Sequence, residues 1–544
     1  MSSPVTSSTT SAANLDATFK AYDVRGTYPD QLDTTLARAT GAAFVEVIGA
    51  DTVVIGHDMR PSSPELAEAF AEGATAAGAD VVHIGLASTD QLYFASGHLG
   101  HAGVMFTASH NPAQYNGMKL CRTGAQPVGA ETGLREIRDR VEAGQFTPAE
   151  RRGTESRTDV LEAYAAHLLG LAPVTGRELT VVVDAGNGMA GLTAPAVLDR
   201  VPGLRTVPMY YELDGTFPNH EANPIEPENL VDLSERVRAE GADLGLAFDG
   251  DADRCFLVDQ HGTAISPSAL TALIADRALA TEPGATVIHS LITSRAVPEL
   301  VTEKGGTPVR TRVGHSYIKA TMAETDAIFG GEHSGHFYFR DFWRADSGML
   351  AALHALAALA GSEAPASELF GAYQRYPLSG EINSRVPDGA TPRILAAIRD
   401  RYTGAEGVEL DELDGLTVSH ADWWFNVRAS NTEPLLRLNA EGRDTATMER
   451  VRDEALELIA AGSTPQEAAP EPEAATPEPE AATPADPATG PALDPALMAL
   501  VVCPACHARL TQTGEELACT GCPNIYPITD GIPVLLVDEA RTAG

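Results

Sequence analysis

Three times in this chain an apolar run that reads as a buried strand stops dead in a polar loop. Gly103-Val104-Met105-Phe106 runs into Thr107-Ala108-Ser109-His110-Asn111-Pro112. Leu244–Phe248 runs into Asp249-Gly250-Asp251-Ala252-Asp253-Arg254, and Ala327-Ile328-Phe329 into Gly330-Gly331-Glu332-His333-Ser334-Gly335-His336. Further strands are predicted at Thr52–Gly56 and Val81–Gly85, at Thr180–Val183 and Asp243–Phe248, and at Thr286–Ser290 and Pro308–Arg312. Helical stretches separate them; one starts at Ser62-Ser63-Pro64-Glu65, with a hydroxyl cap and Pro in the first turn. Strands alternating with helices imply βαβ units and a mainly parallel sheet in each of three similar α/β segments. Open sheets of this kind bind ligands beyond the carboxyl ends of their strands, so the three loops are expected to face one central cleft.

At 544 residues the chain exceeds one hydrophobic core, and its 44% apolar content suffices for several. Its longest apolar helical stretch, Met349–Ala360, is too short to span a bilayer. The Ser/Thr-rich N-terminus has no basic start and no apolar segment, so a disordered leader over 1–18 is expected rather than a secretory signal. A net charge of -37, from 75 acidic and 38 basic side chains, repels nucleic-acid backbones. Small phosphorylated ligands need only a local group of Arg and Lys in a cleft. The segmentation predicted is 19–158, 159–262 and 263–372 for the three α/β domains and 373–462 for a smaller α+β fourth. From Asp453 to Ala508 there is no Lys or Arg, and the heptad EPEAATP occurs at Glu471–Pro477 and again at Glu478–Pro484. Such a stretch favours a disordered acidic linker, 463–494, before a compact unit at 495–540.

Each loop carries its own chemistry. Ser109 follows a buried strand, with His110 and Asn111 beside it, and an Asn116-Gly117 turn would bring Lys119 back towards it. A loop of this composition can also do no more than satisfy its own backbone. Asp249, Asp251 and Asp253 alternate with Gly and Ala along an extended loop and so point to one side. Packed carboxylates repel unless a cation neutralises them, and hard oxygen ligands suit Mg²⁺; a solvated turn or a calcium loop are the alternatives. Arg254 adds a fork suited to a phosphate. The loop holding Glu332, His333, Ser334 and His336 between glycines can approach a polyol closely. Zinc on the two histidines is a rival reading that lacks an apparent third ligand. Arg428, Ser430, Asn431 and Thr432 put Arg, hydroxyl and amide groups in one turn, the set that binds a phosphate dianion.

Together these motifs resemble the α-D-phosphohexomutase family, from Ala21-Tyr22-Asp23-Val24-Arg25-Gly26 to the helix after Pro434. The resemblance implies an intramolecular phosphotransferase with three similar α/β domains and a smaller fourth around a cleft. It implies that Ser109 is the phosphorylated serine and that Asp249, Asp251 and Asp253 hold Mg²⁺ together with a phosphoserine oxygen. Arg25 and Lys119 would line the reacting phosphoryl group, and Glu332 and Ser334 would take the sugar's 3- and 4-hydroxyls. Arg428, Ser430, Asn431 and Thr432 would grip the other phosphate, leaving His336, Lys119 and His315 as general acid/base candidates. A hexose 1,6-bisphosphate would be intermediate and activator. The loop Gly331–His336 is similar to the phosphomannomutase/phosphoglucomutase branch, which implies mannose phosphate as substrate. Glucose and glucosamine phosphates, and an inert scaffold that recruits partners, are the alternatives. Where related enzymes carry a phosphate-contacting Lys, this chain reads Ser290-Leu291-Ile292-Thr293, and Arg295 is expected to compensate. The location expected is the cytoplasm, with no direct nucleic-acid or membrane partner.

Near the C-terminus, Cys503, Cys506, Cys519 and Cys522 form two C-x-x-C turns, the pattern of a structural tetrahedral Zn²⁺ site. A unit this short has difficulty folding without the metal. The following Tyr526–Leu536 resembles small zinc-ribbon proteins, some of which bind and activate methyltransferases, which implies a methyltransferase as a possible partner.

Overall fold

The computed structural model describes residues 12–146, 148–387, 389–430, 435–463, 502–506, 508–514, 516–529, 532–533, 535 and 540–542. It divides into two units, 1–465 and 466–544. In the larger unit three sheets repeat one local plan. A strand pairs in parallel with an earlier strand on one side and turns back into an antiparallel partner on the other. Ala102–Phe106 lies parallel to Thr52–His57 and antiparallel to Tyr115–Arg122. Leu244–Phe248 lies parallel to Leu179–Asp184 and antiparallel to Cys255–Asp259. Phe329–Gly331 lies parallel to Thr286–Ser290 and antiparallel to Phe337–Phe339. Each polar loop is the link between such a strand and its antiparallel partner.

The hydrophobic pattern dictates what packs between the sheets. Gly348–Ala360 is apolar all round, and a helix of that kind belongs in a core. It is buried on nearly every side against helices Leu161–Leu171 and Pro267–Thr281. Among the described residues no helix is long and apolar enough to cross a membrane. A fourth sheet is wholly antiparallel, in the order Leu378–Arg385, Leu435–Gly442, Trp423–Ala429, Leu416–His420 and Glu409–Asp411. Helices Thr391–Tyr402 and Thr445–Ser463 cover it through Ile394, Ile398, Val451 and Ile459. The fold is therefore three α/β layers and a smaller α+β fourth.

Four local expectations are corrected. The hydroxyl of Ser62 makes no capping bond to its helix; it accepts from Asn116 Nδ2 at 2.8 Å, and the helix Ser63–Ala76 carries Pro64 in its first turn. The strand expected at Ala327–Phe329 is Phe329–Gly331, whose glycines allow close packing on both faces: a Cβ on Gly331 would strike Thr271 of helix Pro267–Thr281, and one on Gly330 would stand 3.1 Å from Ile318. Asn116-Gly117 is not a turn but part of the strand Tyr115–Arg122. Residues 12–18 of the expected leader are helical, with Leu15 and Thr18 fully buried. Of the expected linker 463–494, Ser463 still belongs to helix Thr445–Ser463, and the remainder, like the rest of that leader, lies outside the described residues.

The second unit is a small antiparallel sheet, Leu510–Thr513, Glu516–Cys519, Asn524–Thr529 and Ile532–Pro533, with Arg541–Thr542 against its third strand. Cys503, Leu510, Leu517, Tyr526 and Ile528 form its core.

Candidate active site

Ser109 sits just past the end of a fully buried strand, in the left-handed region with φ 51°. Its own N–H donates to Thr107 Oγ1 at 2.9 Å, which fixes the turn, and its hydroxyl donates to Asp249 Oδ2 at 2.7 Å. Loops from the first and second sheets thus meet at the two residues singled out for chemistry. Arg254 reaches both: its Nε donates to Asp249 Oδ2 at 2.9 Å and an Nη lies 3.3 Å from Ser109 Oγ. The same Nη bonds His110 Nδ1.

The three aspartates converge, but not through the strand-like alternation expected of an extended loop. Ala252, at φ 60°, turns the chain, and its N–H donates to the Asp249 carbonyl at 3.0 Å. One oxygen from each carboxylate then lies within 4.8 Å of the others, and all three residues are at most 1% exposed. Lys119 Nζ donates to Asp251 Oδ2 at 2.7 Å and to Asp253 Oδ2 at 2.6 Å. It arrives on the antiparallel strand, opposite Met105. Burial above all, and then the adjacent Asp251 and Asp253 against the opposing Arg254, raises Asp249 to about 8. Burial and Asp251 likewise raise Asp253, while Lys119, with a hydrogen bond from Thr89, outweighs burial and holds Asp251 low. Ionised together, the three carboxylates would outnumber the two cations, Lys119 and Arg254, by one charge. Asp251 Oδ1 and Asp253 Oδ1 are buried without a hydrogen-bond partner. Hard anionic oxygens left unsatisfied in this way fit a divalent cation such as Mg²⁺.

The third loop joins the second through the backbone. Arg254 and His336 form an antiparallel bridge, and Cys255 N–H donates to Gly335 O at 3.2 Å. His336 Nε2 stands 3.6 Å from Asp253 Oδ1, and its Nδ1 is 3.0 Å from Ser334 Oγ. Glu332 is buried, its carboxylate held by Gly314 N–H at 2.9 Å and Tyr338 OH at 2.6 Å. His333 is buried beside Ser268, at 3.5 Å. His315 opens helix His315–Thr325 with its ring 5.3 Å from that of Tyr22. Burial, then the Lys319 ammonium, pushes its imidazole down to about 3, so it is neutral at ordinary pH. Arg25 donates to Asn111 Oδ1 at 2.6 Å and pairs with Asp23.

Arg428 is the last residue but one of strand Trp423–Ala429 in the fourth sheet, buried, with an Nη 3.2 Å from Glu381 Oε2. Its Nε is buried without a partner, a donor left for a ligand. Ser430 follows it, bonding Leu435 O through its N–H at 2.8 Å. Asn431 and Thr432 lie outside the described residues. Arg295 does not compensate for the missing Lys. Its guanidinium is taken by Glu441 Oε1 at 3.1 Å, Ala421 O at 2.7 Å and His420 O at 3.3 Å, tying the third sheet's segment to the fourth. Ile292 instead packs with Leu291 and Trp424.

Several supporting groups carry no sequence signal. Thr89 grips Asp251 by its N–H to the carbonyl at 2.9 Å and by its hydroxyl to Oδ2 at 2.5 Å, across 162 positions. Asp346 pairs with Lys319 at 2.7 Å and lies in the same acidic cluster as Asp253 and His336.

In the second unit the four cysteines gather within 4.8 Å, with Cys503 Sγ 3.6 Å from Cys522 Sγ and Cys506 Sγ 3.3 Å from Cys519 Sγ. Thiolates at the corners of a tetrahedron around zinc stand about 3.8 Å apart, for Zn–S bonds of about 2.3 Å. The set fits that ion.

Family models match the chain segment by segment. Residues 16–148, 162–262 and 266–376 match the models for phosphoglucomutase/phosphomannomutase alpha/beta/alpha domains I, II and III, and 381–458 match its C-terminal domain. Residues 494–531 match the Trm112p-like protein model. A Xanthomonas campestris protein named phosphohexose mutases is 43% identical over 450 residues, 82% of this chain and 99% of its own. An Escherichia coli phosphomannomutase is 41% identical over 453 residues, 81% of this chain and 98% of its own. The crystal structure of a phosphoglucomutase/phosphomannomutase family protein from Burkholderia thailandensis superposes with a TM-score of 0.75 at 33% identity, covering 82% of this chain and 98% of that one. With identity at this level across four consecutive domains, the chain belongs to the phosphoglucomutase/phosphomannomutase family and is a phosphohexomutase, an isomerase that transfers phosphate, carrying a Trm112p-like domain at its C-terminal end.

Proposed function

We propose that the protein is a phosphomannomutase, interconverting mannose 6-phosphate and mannose 1-phosphate through a phosphoserine at Ser109 and a hexose 1,6-bisphosphate, which also primes the enzyme. The observation that carries this reading is the 2.7 Å bond from Ser109 Oγ to Asp249, beside the unpartnered oxygens of Asp251 and Asp253. Asp249, Asp251 and Asp253, with an oxygen on Ser109, would hold Mg²⁺, which when bound neutralises charge on the transferring phosphoryl group. Arg254, Arg25 and Lys119 supply further positive charge around the serine, where preorganised cations do most for phosphoryl transfer. His336 and Lys119 would exchange the proton of the reacting sugar hydroxyl, with neutral His315 as a third candidate. Glu332, His333 and Ser334 would orient the sugar. Arg428, Ser430, Asn431 and Thr432 would hold the phosphate that is not reacting, and the buried, unpartnered Arg428 Nε supports that role.

Mannose is favoured because relatives named phosphomannomutase in Escherichia coli and Salmonella are 40–42% identical over four-fifths of this chain. In this reading each of the domains 19–158, 159–262, 263–372 and 373–462 brings one loop to the cleft. The ribbon would be folded by zinc on its four cysteines and recruit a protein, with a methyltransferase as the partner its family likeness suggests. The proposed location is the cytoplasm. Specificity constants for the 1-phosphates of mannose, glucose and glucosamine, with Mg²⁺ and a priming bisphosphate, test the substrate. Mannose should lead; a clear preference for glucose or glucosamine would overturn the assignment.

A further inference from the structure

We infer that Arg60 is a positioning residue that fixes the nucleophile loop, resting on the assignment of Ser109 as the phosphoryl carrier. Arg60 is 1% exposed, and its guanidinium lies under the serine loop rather than in the cleft. One Nη donates to Ser109 O at 2.9 Å and Asn111 O at 2.6 Å, the other to Pro112 O at 2.8 Å and Tyr115 O at 3.0 Å. Its Nε donates to Asp58 Oδ2 at 3.2 Å. All five N–H donors of the side chain are therefore used, four of them on main-chain carbonyls of one turn. A carbonyl has no fixed charge to attract a cation from afar, and a side chain that spends itself on four of them is organising backbone.

The geometry explains why such a clamp is needed. Ser109 occupies the left-handed region, which favours glycine, and a residue held there persists only where its surroundings over-determine it. The carbonyl of Ser109 is pinned from two sides, by Arg60 and by Gly250 of the metal loop, where a Cβ would stand 2.4 Å from that oxygen. Phe217 lies beneath the guanidinium at 5.2 Å and also faces Gly250. Asp58 completes the support: it accepts from Arg60 N–H at 3.0 Å and from Ser63 Oγ at 2.5 Å, so the buried cation has a buried counter-charge. Arg60 touches neither the hydroxyl of Ser109 nor any carboxylate of the aspartate triad, so its effect reaches the chemistry only through where the loop holds Oγ. Lysine keeps the charge but is a point donor that lacks the planar fork, so it cannot bind four acceptors in this arrangement.

The test is Arg60→Lys in the full chain, assayed in steady state and by single-turnover transfer from phosphorylated Ser109 to a hexose phosphate. Misplacement of a reacting group by an ångström costs on the order of 100-fold in rate, so kcat and the transfer rate should fall by about that factor while KM stays at the wild-type value. A folded Arg60→Lys with wild-type kcat, or one that loses only melting temperature, overturns the proposal. If Arg60→Lys does not fold, Phe217→Leu decides: lowered kcat at unchanged KM supports the clamp, and unchanged kcat refutes it. A wild-type protein that does not turn over, or a Ser109→Ala variant that does, would instead refute the phosphoserine reading on which the proposal rests.

Discussion

Gly250→Ala adds one methyl group at the junction of the serine and metal loops, and its cost can be worked from the geometry. The new Cβ would stand 2.4 Å from the Ser109 carbonyl oxygen, a main-chain atom that cannot swing aside, whereas real Cβ contacts stay above 3.0 Å. The two loops must therefore separate by at least about 0.6 Å. The Ser109 Oγ–Asp249 bond, now 2.7 Å, then leaves the range of a good O–H···O bond, which ends near about 3.0 Å. Overpacking of this kind costs about 1–3 kcal/mol of stability. A displacement approaching an ångström at the reacting centre should lower kcat by roughly 10- to 100-fold. The assay is kcat for mannose 1-phosphate alongside a thermal melt. Gly170→Ala is the control: helix Leu161–Leu171 leaves open space there, so alanine should stabilise by about 0.5–1 kcal/mol and leave kcat alone. Wild-type kcat in Gly250→Ala would refute the claim that these loops act as one site.

Two further outcomes follow. His354 is stacked on Phe339 inside the core, and burial, with a smaller push from Arg277, lowers it to about 4. The unfolded state then binds more protons between that value and about 6.5, so stability is present above this window and lost as pH falls through it, by up to about 3 kcal/mol. His354→Leu should narrow the difference in melting temperature between about pH 7 and about pH 4; an unchanged difference refutes the sign. Stripping zinc, or Cys506→Ser, should unfold the ribbon, since such ions contribute on the order of 10 kcal/mol to small domains. Turnover should survive, as it should when the chain is cut before Ala492; loss of activity in either case would tie the ribbon to catalysis.

The parts of this site visible in the sequence were those written locally. The strands before the serine and metal loops announced themselves as apolar runs cut off by turn-forming residues, and the carboxylates of the metal loop stand within five positions. The turn at Ala252 was not legible: alternation suggested a flat arrangement, and only the hydrogen bond from its N–H to Asp249 O shows how the side chains converge. The return of Lys119 was read correctly but its device was not: strand pairing makes it, whereas Asn116-Gly117 imitates a hairpin turn. Arg60 and Thr89 had no signal at all. A single Arg or Thr reads as surface until the fold lays it under a loop 49 or 162 positions away. Arg295 shows the converse error, since proximity along the chain suggested a phosphate ligand where the fold spends the side chain on Glu441 and two carbonyls.

The most direct test is to incubate the protein with a hexose 1,6-bisphosphate and Mg²⁺ and locate the phosphoryl group by peptide mass spectrometry. Modification confined to Ser109, discharged when a mannose phosphate is added and absent in an inactive Ser109→Ala, is the predicted result. A phosphoryl group found elsewhere, or sustained turnover without that hydroxyl, would contradict it.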